Sequence, residues 1–258
     1  MTHEKMLFVF SLFSVMGYLA GGLMNVFKLK KTSYVFAFSA WLLNFGIVTL
    51  HWVVNSYPPF ASMYQVLSVL SLLFPIIGGL FTVFDKSKEW LFKFFVFAAA
   101  IPLIGTLFME NSLKWALMPA LRSVFFVPHV FSYMISYSLA AVSFATAIRY
   151  FVLKNDRESS FDALVAITRI SVPFMVNGLV LGAVWADQVW GNFWQWDVKE
   201  IWSLITSLLY LSGLHLACTK NKKTTVVIIC MLGFIALIVT FLFVNVLPNA
   251  ATSQHTYI

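Results

Sequence analysis

The chain has 258 residues, 60% of them hydrophobic and only 10% charged, against roughly 25% charged in a soluble domain. Its mean hydropathy is +0.86, and apolar runs of about twenty residues recur along it, which excludes a soluble domain and the short period-two segments of a membrane β-barrel. The net charge of +7 does not point to nucleic acid, because the basic residues sit in short segments between the apolar runs.

The runs predict an all-α polytopic membrane protein with about eight spans, at 6–27, 33–54, 64–84, 90–109, 125–152, 164–184, 199–218 and 224–247. The first, from Met6 to Phe27, is too long for a signal-peptide core and is read as a membrane helix. Lys28, Lys30 and Lys31 follow the first span, and Lys86, Lys88 and Lys93 the third. Arg149, Lys154 and Arg157 follow the fifth, and Lys220, Lys222 and Lys223 the seventh. These positions hold twelve of the seventeen Lys and Arg residues. The positive-inside rule places those loops in the cytoplasm and both termini outside, together with the aromatic segments 55–63, 110–124 and 185–198. Cys218 and Cys230 fall near the reducing side, so no disulfide is expected. No polar linker, low-complexity tract or clear repeat divides the chain, which reads as a single domain over 1–258.

Two features carry chemistry. The stretch "VWADQVWGNFWQWDVKE", residues 184–200, holds Trp185, Trp190, Trp194 and Trp196 beside Asp187, Asp197 and Glu200. Interfacial anchoring accounts for one or two such tryptophans; the density also suits a surface built to hold something flat. The histidines are the second feature. His129, at the outer start of the fifth span, and His255, in the outer tail, lie on the same face as the tryptophans. His215 lies sixteen residues beyond Lys199, deep in its span, where ionisable groups are costly and usually functional. Two histidines beside an aromatic platform suit a bis-histidine porphyrin site, with Lys199 or Arg122 pairing the propionates. His129 as a hydrogen-bonded helix cap and His51 as a competing ligand remain alternatives. No Ser/His/Asp or Cys/His arrangement accompanies Asp187, Asp197 or Glu200, so no catalytic residue is assigned.

"WADQVWGNFWQWDVKEIWSLI" resembles the WWD signature, W-A-x-x-x-W-G-x-x-W-x-W-D-x-K-E-x-W, of haem-handling membrane proteins. Within them it is most similar to the CcsA (ResC) type of system II cytochrome c biogenesis, with CcmC and CcmF more distant. "PHVFSYMISYSLAAVSF", "YLSGLHL" and "FLFVNVLPNAATSQHTY" resemble the segments carrying the first external, the intramembrane and the second external histidine, matching His129, His215 and His255. "PPFASMYQVL" resembles the P-x-S-N-x-Y-E box, with Ser62 and Gln65 at its Asn and Glu positions, and His51 stands where the family usually has arginine.

The resemblance implies a path for haem b. The haem is held first within the membrane, with His215 as an iron ligand. It is then held outside between His129 and His255, under a WWD loop at 185–200 that contributes Trp185, Trp190, Trp194, Trp196 and Asp197. There its vinyl groups meet the cysteines of an apocytochrome c Cys-x-x-Cys-His motif. A CcsB (ResB)-like membrane subunit is the implied partner, supplying a second intramembrane ligand that this chain does not carry. Two other readings stand beside the synthase subunit: a CcmC-like haem-binding or export module without ligation activity, and a structural haem-bearing subunit of a respiratory complex.

Overall fold

A computed structural model describes residues 3–219 and 222–243, which fall into two compact units divided between Arg122 and Ser123. Unit 1 contains α1 (His3–Val26), α2 (Lys30–Asn55), α3 (Met63–Phe84) and α4 (Phe92–Thr106). Helix α1 packs on α2 and α4, and α3 on α2 and α4. The helix ends follow local chemistry. Ser56 closes α2 in the left-handed conformation, with its N–H on the Trp52 carbonyl, just before Pro58 and Pro59. Ser62 caps α3 by accepting the Gln65 N–H. Asp85 caps the 3₁₀ turn that leads into α4; Lys88 and Ser87 beside it hold its carboxyl below the usual carboxylate range.

Unit 2 contains α5 (Phe126–Val152), α6 (Arg157–Trp190), α7 (Val198–Ala217) and α8 (Lys223–Ile238), the last continuing into a π-helical turn at Val239–Phe243. Helix α5 packs along α6 and on α8, and α7 along α8. Side chains tie α5 to α6 in the apolar interior: Asn177 Nδ2 donates to Ser132 Oγ at 2.9 Å, and the Ser136 and Ser171 hydroxyls lie 3.1 Å apart.

Beside an apolar core, polar side chains are buried too and large apolar ones face outward. Ser14, Asn44, His51 and Gln65 are at most 1% exposed, while Val35, Ile101 and Phe13 project outward at 64%, 69% and 55%. Polar groups inside and large apolar groups outside are stable only against hydrocarbon. Together with seven helices long and apolar enough to cross a membrane among the described residues, this makes the chain an all-α integral membrane protein. The remaining helix, α7, has the length but carries Lys199, Glu200, Ser203, Thr206, Ser207 and His215, which lower its hydropathy. The hydroxyls of Ser203, Thr206 and Ser207 are absorbed by carbonyls one turn back, at 2.7, 2.8 and 2.9 Å.

Within each unit the basic loops gather at one end. Lys30 pairs with Glu89 at 2.8 Å in unit 1, joining the loops after α1 and α3. Lys223 pairs with Glu158 in unit 2, joining the loops after α5 and α7.

Helix α6 departs most from the spans read in the sequence. It has 34 residues and, at ~1.5 Å per residue, outruns a hydrocarbon core about 30 Å thick. It reaches Trp190, so residues 185–190 of the expected loop are helical and only 191–197 are irregular. Polar Asp187 and Gln188 read as loop residues, but they sit on the last turn of a helix that stops only at Gly191. That residue adopts φ 76°, open to glycine without strain, and its N–H returns to the Asp187 carbonyl at 2.8 Å.

Candidate functional site

His129 occupies the first turn of α5, where Pro128 is tolerated because its nitrogen needs no helical acceptor. The imidazole enters a shallow cradle on α6 formed at i, i+4 and i+7 by Gly178, Gly182 and Trp185. Its Nδ1 lies 2.7 Å from the Gly178 carbonyl. The ring stacks on Trp185 at 5.7 Å and 22°, with Tyr133 edge-on at 5.2 Å and 86°. Gly182 makes the approach possible: a Cβ there would stand 2.6 Å from His129 Cε1. Since a carbonyl only accepts, the Nδ1 proton is fixed by this bond and the ring lone pair is carried on Nε2. An imidazole oriented through Nδ1–H on a backbone carbonyl is the usual arrangement of a metal-ligating histidine. The donor set therefore fits haem iron.

The tryptophans divide into two pairs. Trp185 is 1% exposed and meets Phe126 at 5.3 Å and Trp190 at 4.8 Å. Trp194 and Trp196 meet edge to face at 5.8 Å. Trp196 is 67% exposed and adopts φ 58°, a left-handed conformation that lifts its ring out of the loop. The Trp194 indole N–H is buried without an acceptor among the described residues.

Asp197 and Glu200 hold the loop by a capping box. Asp197 Oδ1 accepts the Glu200 N–H at 2.8 Å, and Glu200 Oε2 accepts the N–H groups of Asp197 at 3.3 Å and Gln195 at 2.8 Å. Asp197→Ala is expected to lower stability by about 1 kcal/mol and Asp197→Asn by much less, measured by thermal unfolding in detergent. Equal losses in both would remove the capping role.

The comparisons with known proteins decide the family. The profile described as Cytochrome C assembly protein matches residues 2–251, through both units. The chain belongs to this family. Among curated relatives, the cytochrome c biogenesis protein CcsA of Guillardia theta is 27% identical over 270 residues, 88% of each chain. That of Trieres chinensis is 26% identical over 275 residues, 88% of this chain and 87% of its own. That of Chlamydomonas reinhardtii is 32% identical over 149 residues, 53% of this chain and 42% of its own. The CcsA-type resemblance read from the tryptophan signature is borne out, and the role of the chain lies in cytochrome c biogenesis.

Not every histidine of this cytochrome c assembly protein joins the cradle. His215 lies in the last turn of α7, seventeen residues past its first, and its side chain is exposed on the outside of unit 2. His51 belongs to unit 1 and is 1% exposed, with Nδ1 against Gln65 Nε2 at 3.4 Å and its ring 5.4 Å from Tyr64. Its Nε2 is sealed inside the bundle, so it presents no face to an iron in this conformation. His255 lies outside the described residues. Arg122 is exposed at the end of unit 1, and Lys199 stands in the first turn of α7, two positions past Asp197. Among the described residues no group of three or more His, Cys, Asp and Glu is placed to hold a metal ion.

Gly178 and Gly182, which form the cradle, stand outside the site residues expected from the sequence. Their signal was present as a small-xxx-small spacing, "GLVLG", inside the sixth span.

Proposed function

We propose that this chain is the haem-handling membrane subunit of a cytochrome c synthase, presenting haem b as substrate to apocytochrome c at an extracytoplasmic site. The observation that carries the reading is the His129 imidazole, oriented by the Gly178 carbonyl and backed by Trp185. In this reading His129 is one axial ligand and His255 the other. Trp185 backs the His129 ring while Trp190, Trp194 and Trp196 cover the macrocycle and exclude water, with Asp197 fixing the loop and Lys199 pairing a propionate. The chain's contribution is to fix the haem so that its vinyl carbons meet the two thiols of a Cys-x-x-Cys-His motif, each thiol adding across one vinyl group to give a thioether. Both termini and the 191–197 loop lie outside the cytoplasm.

His215 supports a second, earlier site. His215 is exposed on α7; within a membrane such an imidazole is costly, and a ligating partner would remove that cost. We assign it to the intramembrane haem, with a CcsB-like subunit covering it and supplying the opposing ligand. His215→Ala is expected to lower total haem in the co-purified complex while leaving the outer-site spectrum of the remaining haem unchanged; unchanged total haem refutes the assignment. The function itself is tested by expressing the chain with and without a CcsB-like partner beside a reporter apocytochrome, then staining for covalent haem. Covalent haem only with both chains supports the synthase reading. Haem on this chain with an unmodified reporter in both cases assigns the export module instead.

A further inference from the structure

Helix α6 carries polar groups on an exposed face within its apolar span. Arg169, Pro173, Asn177 and Val180 follow one another at spacings of four, four and three, so they share one side of the helix, and all are exposed. Val176 lies on the same side, also exposed.

Contacts with α5 fix the depth of these residues. Arg149 Nη1 donates to Ser160 Oγ at 2.7 Å, beside its ion pair with Asp156, and marks the basic end. Arg169 stands nine residues further on, about 14 Å along the axis. It is bracketed there by Thr168, whose hydroxyl lies 3.5 Å from that of Ser143, and by Ser171, bonded to Ser136. Asn177, level with Ser132, lies another ~12 Å along. Both are inside the span, and Arg169 is farther from the basic end than its own side chain extends.

Three groups on this face lack a counterpart among the described residues. The Arg169 guanidinium takes part in none of the ion pairs, hydrogen bonds or ring contacts; Asp162, seven residues before it, lies beside Lys223 instead. Pro173 has no N–H, so the Arg169 carbonyl loses its helical donor. Asn177 commits its amide nitrogen to Ser132, and no described residue donates to its Oδ1. A phospholipid answers only the first, since acyl chains offer no hydrogen bond at the depth of Asn177. A second copy related by a twofold axis along the membrane normal would set Arg169 against Arg169. A helix from a different chain can meet all three, with a carboxylate for the guanidinium and hydroxyl or amide donors for the two oxygens.

We propose that this side of α6, from Arg169 to Val180, docks a transmembrane helix of the CcsB-like subunit. That helix carries a carboxylate opposite Arg169 and a hydrogen-bond donor about two turns further toward the outside. The assignment rests on the reading that the chain works with such a subunit, and it adds a contact separate from His215 on α7.

Photocrosslinking in the co-expressed, co-purified pair tests this. p-Benzoylphenylalanine in place of Val176 should form an adduct with the CcsB-like subunit, well above that from the same replacement of Ile235, exposed on α8. Arg169→Gln should lower both the adduct and the co-purified subunit several-fold, while Arg169→Lys, which keeps the charge, should retain most of each. Arg169 touches nothing within its own chain, so thermal unfolding of the isolated chain should be the same in all three. Adducts with lipid or a second copy alone, adducts equal to those from Ile235, or a yield undiminished in Arg169→Gln overturn this face while an intact complex keeps the partner. No complex between the unsubstituted chains removes the partner from the synthase reading, and this proposal with it.

Discussion

Replacing His129 by alanine is expected to empty the outer haem site and reduce covalent cytochrome c in a reporter assay to a small fraction of the unsubstituted level. Loss of an outer-shell partner of a metal ligand already costs roughly 10–100-fold in affinity, and loss of the ligand itself costs at least as much. The substitution also removes a ring stacked on Trp185 and edge-on to Tyr133, so some stability is lost as well, and two controls separate the effects. Thermal unfolding of His129→Ala should still show a cooperative transition. Added imidazole should restore haem absorbance, because the space vacated between Gly182 and Trp185 has the shape of that ring. A variant that folds, binds haem with the unsubstituted spectrum and ignores imidazole removes His129 from the iron and leaves it a helix-packing residue.

The spans were legible because lipid imposes a length on apolar runs, and length survives in a sequence without any tertiary information. The tryptophan signature was legible for a similar reason: its residues are close in sequence, so the pattern needs no tertiary information. Two aspects were not. The end of α6 was placed too early because Asp187 and Gln188 look like loop residues, whereas the chain stays helical until Gly191 can adopt a left-handed conformation. The cradle of His129 was missed because it joins α5 to α6 across 49 positions. A glycine inside an apolar run carries no label saying whether it faces lipid or an imidazole. His51 shows the converse. A histidine near an outer helix end reads as a competing iron ligand, whereas the fold buries its ring in unit 1 beside Gln65, whose amide is set by the Ala61 N–H.

The glycines themselves allow the sharpest test. Gly182→Ala adds one methyl group, 2.6 Å from His129 Cε1 and 2.7 Å from Nδ1. Distances that short force a shift, and the ring has little room to give, held by Trp185 on one side and Tyr133 on the other. The expected outcome is that the imidazole swings away and the 2.7 Å bond to the Gly178 carbonyl, which orients the ring, breaks. A ligand with its orienting bond lost binds about 10–100-fold more weakly, so haem content and cytochrome yield should fall although every candidate ligand is intact, and the haem spectrum should change in form as well as amount. Gly46→Ala is the control. Gly46 also lies inside a helix, but a Cβ there meets nothing within 4 Å, and removing a helical glycine stabilises by about 1 kcal/mol. Haem loss in Gly182→Ala beside normal haem in Gly46→Ala locates the effect in the cradle. Normal haem in both means that α6 does not orient the ligand, and the tautomer of His129 is then set by something other than Gly178.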